Sequence, residues 1–165
     1  RDEIQMMKVS LPLRVNVWLF SRAKSPLDAD QGVWEPESAA HNIVTTRGKE
    51  LVAAMLAEET GRDTGITYCE IGTGTNVPSI ADVALQTALT RKAITRYIRV
   101  SNVVQFRAFY PAVDATANIK EAGLFGHSTA TATIGTGDLF NRAAVAFDNT
   151  AGSKDLTIVI EVTFG

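Results

Sequence analysis

Apolar and polar residues alternate most cleanly at the two ends of the chain. Near the start, Val9, Leu11, Leu13, Val15, Val17 and Leu19 recur at period two, with Ser10, Pro12, Arg14, Asn16 and Trp18 between them. Near the end, Leu156, Ile158, Ile160, Val162 and Phe164 share one parity against Thr157, Val159, Glu161 and Thr163. Period two places alternate side chains on opposite faces of a strand, so both stretches predict strands with one face in a core. Pro12 cannot donate a ladder hydrogen bond, which predicts a sheet edge for the first strand, or an arm that joins a sheet only later. Trp18 and Phe20 share the face opposite Val17 and Leu19, so both faces are apolar there, and a large exposed apolar face marks an interface.

Between these ends the period changes once. In GKELVAAMLAEETG, Leu51, Val52, Met55 and Leu56 follow helical spacing, with Thr45 and Thr46 placed to cap the first amides and Gly61 to end the helix. One amphipathic helix is expected from about Arg47 to Thr60. Extended runs are expected over Val33 to Val44, Ile66 to Ile71, Lys92 to Val100, Val103 to Tyr110, Asn118 to Phe125 and Leu139 to Phe147. The crossover after Gly72 is irregular, with a helical turn expected near Asp82 to Leu89. Ser101 and Asn102 predict a tight hairpin, and Gly123 a bulge or close packing within its strand. Many short strands with one helix predict an α+β fold, mainly an antiparallel β-sandwich, because a parallel sheet needs a helix at each crossover. Residues 1–44 read as an N-terminal extended arm or hairpin and 45–165 as the core domain, so trimming to residue 35 is expected to leave a folded core.

Composition narrows the function. The 165 residues include 16 basic and 18 acidic side chains, a formal net charge of -2. That balance supplies no field for a phosphate backbone, so nucleic acid is not an expected partner. No apolar run is long enough to span a bilayer, so no membrane insertion is expected. A lone Cys69 permits no internal disulfide and no Cys-rich zinc site, and reads as a small strand residue.

Candidate chemistry is sparse. Gly72-Thr73-Gly74-Thr75 follows a strand, as a nucleotide loop would, but a dinucleotide fingerprint needs a third glycine where Val77 stands, and a P-loop needs a Gly-Lys-Ser/Thr ending. Glycine there is read as backbone freedom at a strand exit. A second Gly135-Thr136-Gly137, in a Ser/Thr/Ala-rich stretch, reads as loop chemistry rather than a duplicated unit. His41 and His127 have no metal-ligand spacing around them. Glu70, Glu121 and Glu161 lie in expected strands and are expected to pair with Arg96, Arg99, Arg107, Lys120 or Arg142 across strands. No catalytic, cofactor-binding or metal-ligating residue is assigned, and no cofactor is expected.

The order HNIVTTRGKELVAAML, ITYCEIGTGTNVP, ALQTALTRKAI, NIKEAGLFG, LFNRAAVAF and TIVIEVTF resembles bacteriophage virion proteins related to the tail-collar fibre domain. The resemblance covers roughly Asn42 to Phe164 and rests on Gly72 and Gly74, on Thr87, Leu89 and Arg91, and on Lys120, Glu121, Gly123, Leu124 and Phe125. Ala122, Gly126 and Lys120 depart from the residues common at those places. The resemblance implies a non-enzymatic structural part of a phage particle, located in the virion, with itself and other virion proteins as partners. With the chain stopping at Gly165, it implies a compact tail, collar, baseplate or fibre-adaptor component rather than a long shaft. A receptor or glycan-binding module, using loops Ser128 to Asp138 and Asp114 to Ala117, and a capsid decoration protein are the alternatives. The expected interface is Val9, Leu11, Leu13, Trp18, Phe20 and Trp34, docking on a neighbour by strand addition or apolar packing.

Overall fold

The structure, a computed structural model, describes residues 12–23, 34–62 and 65–165. Among them are nine strands: β1 Leu13–Ala23, β2 Glu35–Val44, β3 Ile66–Gly72, β4 Ala88–Ala93, β5 Arg96–Val100, β6 Val103–Tyr110, β7 Asn118–Gly126, β8 Asp138–Asp148 and β9 Lys154–Phe164. The single α-helix, α1, spans Thr46–Leu56. Every strand pairing is antiparallel, in the order β4-β3-β7-β8-β2-β1-β9-β6-β5. The mainly antiparallel α+β sandwich expected from the pattern is the fold observed.

Two strand runs change sheets and make the corners of the sandwich, as strands do where sheets join. The first half of β2 pairs with β1, and Asn42, Ile43 and Val44 pair with β8. On the other side, the Ile94 amide still donates to Thr67 of β3, whereas the Thr95 amide donates to Arg107 of β6. The expected single strand Lys92 to Val100 is therefore two. Ile94 and Ile98 keep one parity across the break, so alternation alone hides the corner. One sheet, here sheet A, comprises β2 in part, β1, β9, β6 and β5; the other, sheet B, comprises the rest of β2, β8, β7, β3 and β4.

The first strand is not at an edge. β1 lies between β2 and β9, paired with β9 from Leu13↔Phe164 to Ala23↔Lys154. Pro12 stands just outside it, where no ladder donor is needed. Truncation to residue 35 would thus remove a central strand rather than an appendage. Val15, Val17 and Leu19 point into the core between the sheets, with Ile71, Leu124, Phe140, Ile158 and Ile160. On β9, Leu156, Ile158, Ile160 and Val162 are buried as expected, and Phe164 is 42% exposed at the open end.

Helix α1 closes that end. Thr45 caps it: its hydroxyl accepts from the Gly48 amide and donates to the Leu139 carbonyl on β8. Gly48 lets the first turn rest on the sheet, since a Cβ there would stand 2.1 Å from the Phe140 carbonyl oxygen. Leu51 and Ala54 are buried beneath it. The helix stops near Leu56, before the expected Thr60: Glu58 takes a positive φ of 50°, and Gly61 lies in the turn beyond.

The expected hairpin at Ser101-Asn102 forms, with Val100↔Val103 paired across it. The expected helical turn at Asp82 to Leu89 does not form. Asp82 instead accepts from the Ser79 amide and binds Arg142, and β4 begins at Ala88.

Candidate functional site

The most highly organised polar region lies on the outer face of sheet B, under two loops. Along β3 and β7 the residues opposite one another are Glu70↔Gly123, Ile71↔Ala122 and Gly72↔Glu121. Exchanging the two strands leaves this pattern unchanged, so a local two-fold axis passes between Ile71 and Ala122. Ile71 and Ala122 face the core, and the two glutamates face outward beside the glycines.

Each glutamate holds an arginine from the neighbouring strand. Arg91 Nε donates to Glu70 Oε1 at 2.7 Å, with both side chains fully buried. Arg142 Nε and Nη2 lie 2.9 and 2.8 Å from Glu121 Oε2. Each then fixes the loop that leaves the other strand. Glu121 accepts from the amides of Gly74, Gln86 and Thr87, while Arg142 also reaches Asp82 and the Asn76 carbonyl. Glu70 accepts from the Gly135 amide, while Arg91 donates to the carbonyls of Thr131 and Thr136 and stacks 4.3 Å from the Phe125 ring centroid. Both Gly-Thr-Gly segments are thereby tied to buried ion pairs. At Gly72 a Cβ would meet the Thr87 carbonyl oxygen at 2.4 Å, and at Gly123 the Asn141 carbonyl oxygen at 2.6 Å. Gly123 thus serves close packing; the bulges of β7 fall on either side of it.

The glutamates lie fifty-one residues apart (70 to 121), as do the arginines (91 to 142). The matching segments are Glu-Ile-Gly with Thr-Arg-Lys-Ala-Ile and Glu-Ala-Gly with Asn-Arg-Ala-Ala-Val. This is a strand-level repeat. A comparison of the two Gly-Thr-Gly segments misses it, because they occupy different places in their loops. Arg142 was one of the five cations expected to pair with these glutamates; Arg91 was not among them. Glu161 lies on sheet A and accepts from Gln105.

Glu70 through Oε1, and Glu121 through both oxygens, are engaged with an arginine and backbone amides, an arrangement suited to bracing. Cys69 is buried beside them, facing the core. Burial pushes its thiol up to about 12, so it stays protonated at neutral pH. Among the described residues no three of His, Cys, Asp and Glu converge in a metal-binding group. Nor is any helix among them long and apolar enough to cross a membrane. His127 lies in the loop after β7, with its ring nitrogen 2.8 Å from the Thr129 hydroxyl.

Two concave regions lie elsewhere. A cavity of about 490 Å³ opens between α1 and β5, lined mainly by apolar side chains, among them Val52, Met55, Ile66, Val104, Phe106 and Phe164. Tyr97 spans it, its hydroxyl donating to the Ile66 carbonyl at 2.9 Å, and burial raises its pKa. A hollow of about 510 Å³ lies on the outer face of sheet A, where Phe20, Trp34 and Phe109 surround Arg96 and Arg107. Trp34 packs edge-on to Phe109 at 6.2 Å, with the Arg22 guanidinium 4.9 Å from its ring centroid.

The expected interface residues are therefore spread out. Trp18, Phe20 and Trp34 are half-buried at the outer face of sheet A, and Leu13 packs against the core at the open end. Val9 and Leu11 lie outside the described residues. No family model matches the chain, and no curated protein or solved structure matches it.

Proposed function

We propose that this chain is a non-enzymatic structural component of a bacteriophage particle, a tail, collar, baseplate or fibre-adaptor part that assembles with itself or with neighbouring virion proteins. One observation carries the reading. Seven of the ten residues behind the resemblance, Gly72, Gly74, Thr87, Arg91, Glu121, Gly123 and Phe125, meet in one braced layer on the outer face of sheet B, while Leu124 packs in the core and Leu89 is exposed. A motif spent on fixing two loops to a sheet belongs to a scaffold that must hold its shape while its surfaces are bound. The test is the composition of particles purified from the phage that encodes the chain. Quantitative mass spectrometry is expected to find the chain in a fixed copy number of three or more per particle. Presence in infected-cell lysate but not on purified particles would overturn the reading.

A receptor or glycan-binding module is the second reading, and one observation favours it: the aromatic and cationic hollow of Phe20, Trp34, Phe109, Arg96 and Arg107. Rings stack on sugar faces, and guanidinium groups bind carboxylates in a fork. The Thr-rich loop is less suited, because Thr131 and Thr136 are bonded to one another and to Arg91. Binding of the full chain to acidic glycans, lost in Trp34→Ala, is the result this reading requires.

A further inference from the structure

The cavity beside β5 has the form of a strand-acceptor slot. Among the described residues β5 ends the strand order and pairs with β6 alone, so its other edge presents amides and carbonyls that no described strand takes up. Val104, Phe106 and Val162 form its apolar floor, Tyr97 and Arg99 of β5 stand at its rim with the Tyr97 hydroxyl bonded to the Ile66 carbonyl, and Val52 and Met55 of α1 line the opposite side. Backbone on one side and alternating pockets on the other are what an added strand uses.

We infer that residues 7–11 of a second copy of this chain occupy this slot as a strand added to β5, with Met7, Val9 and Leu11 in the apolar floor and Lys8 and Ser10 facing out. This rests on the assembly reading and names its contact. The segment has the required pattern, three apolar residues at period two, and its five residues match the five of β5.

Geometry favours a neighbouring copy over the chain's own segment. Pro12 accepts from the Gly165 amide, and Leu13 pairs with Phe164, so the segment departs at the end of sheet A where the slot opens. From β1 to β5 the path crosses β9 and β6, three strand spacings or about 14 Å. Crossing it takes about four residues at ~3.3 Å each, which uses up positions 8–11 and keeps Val9 and Leu11 out of the slot. A second copy has no such crossing to make. The period-two pattern of Val9 and Leu11 also continues in register into β1, which suits a segment running straight on from the strand toward a neighbour.

Sedimentation of the full chain tests this, with two variants that leave the core alone. Met55→Glu places a charge in the slot from a helix position that is 38% exposed, and the double variant Val9→Asp/Leu11→Asp alters only the segment. The full chain is expected to self-associate, each variant to weaken association at least tenfold with unchanged circular dichroism, and an equal mixture of the two to regain a heterodimer. In that mixture an intact segment meets an intact slot only between different chains. If both variants associate as the full chain does, the slot assignment fails while the assembly reading stands. If each variant is weakened but the mixture restores nothing, the segment of one copy does not enter the slot of another and the assignment is overturned. A full chain that remains monomeric at all concentrations also removes the second copy as occupant, leaving the particle composition to decide the broader reading.

Discussion

The two outer faces of the sandwich are built from similar residue types and end in opposite states. On sheet B, Arg91 and Arg142 each face a buried glutamate, and the loops 73–87 and 127–137 close over them. On sheet A, Arg96 and Arg107 are directly opposite one another on β5 and β6, and no carboxylate pairs with either among the described residues. Arg107 Nε is buried with no hydrogen-bond partner among the described residues. An arginine stabilises a sheet when its neighbours supply an acceptor and opposes it when they supply a like charge. Sheet B uses both arginines to brace its own loops, whereas on sheet A the Arg22–Asp155 and Lys154–Glu37 pairs leave Arg96 and Arg107 without a carboxylate among the described residues.

The comparison breaks first at Glu121. Glu121→Ala removes the buried carboxylate of Arg142, leaving it only the partly exposed Asp82, and strips the amides of Gly74, Gln86 and Thr87 of their acceptor. A loss of about 3–5 kcal/mol is expected in urea denaturation. A loss under about 1 kcal/mol would show that the ion pair does not brace the face. Gly123→Ala tests the close approach on the same face: its Cβ would lie 2.6 Å from the Asn141 carbonyl oxygen and 2.9 Å from Leu139 Cδ1. A cost of about 1–3 kcal/mol is expected, by the same measurement.

On sheet A the sign reverses. Arg96→Thr removes one of two opposed cations and places a β-branched residue in a strand, so a gain of about 0.5 kcal/mol is expected from thermal melts. A clear loss would mean that Arg96 has a stabilising partner. The smallest effect concerns Glu37, an ion pair at the surface of sheet A. Hydrogen bonds from Lys154 and Ser21 hold its carboxyl below the ordinary value of 4.5. A depressed folded-state pKa adds stability that is complete above the unfolded value and lost as pH falls through the folded one. The stability difference between the chain and Glu37→Gln should therefore be constant above about pH 5.5 and shrink below about pH 4.5. No change in that difference down to pH 3 would contradict the pairing.

What could be read from the sequence follows from the range of the interactions. β9 and α1 were legible because period two and the one-and-four stripe are local consequences of burial on one face. The turn at Ser101 and the cap at Thr45 were legible for the same reason. The position of β1 was not: Pro12 suggested an edge, but whether a strand is central depends on β2 and β9, and β9 lies at the far end of the chain. The corner at Ile94 was hidden because the chain changes partners without changing parity. The braced layer left a signal, the repeat of Glu-x-Gly and Arg-x-Ala at one offset, but its meaning depends on which strands are neighbours. The phosphate-loop reading of Gly72 to Thr75 was set aside on spacing, and the amide of Gly74 is in fact directed at Glu121.

The central claim is that one face is complete in the single chain while the β5 edge is completed by another copy. Hydrogen exchange read residue by residue, on the free chain and on its assembled form, tests this most directly. The amides of β3 and β7 are expected to be protected equally in both, and the outward amides of Arg96–Val100 to become protected only on assembly. Unchanged exchange along β5, with new protection confined to the loops over sheet B, would contradict the account.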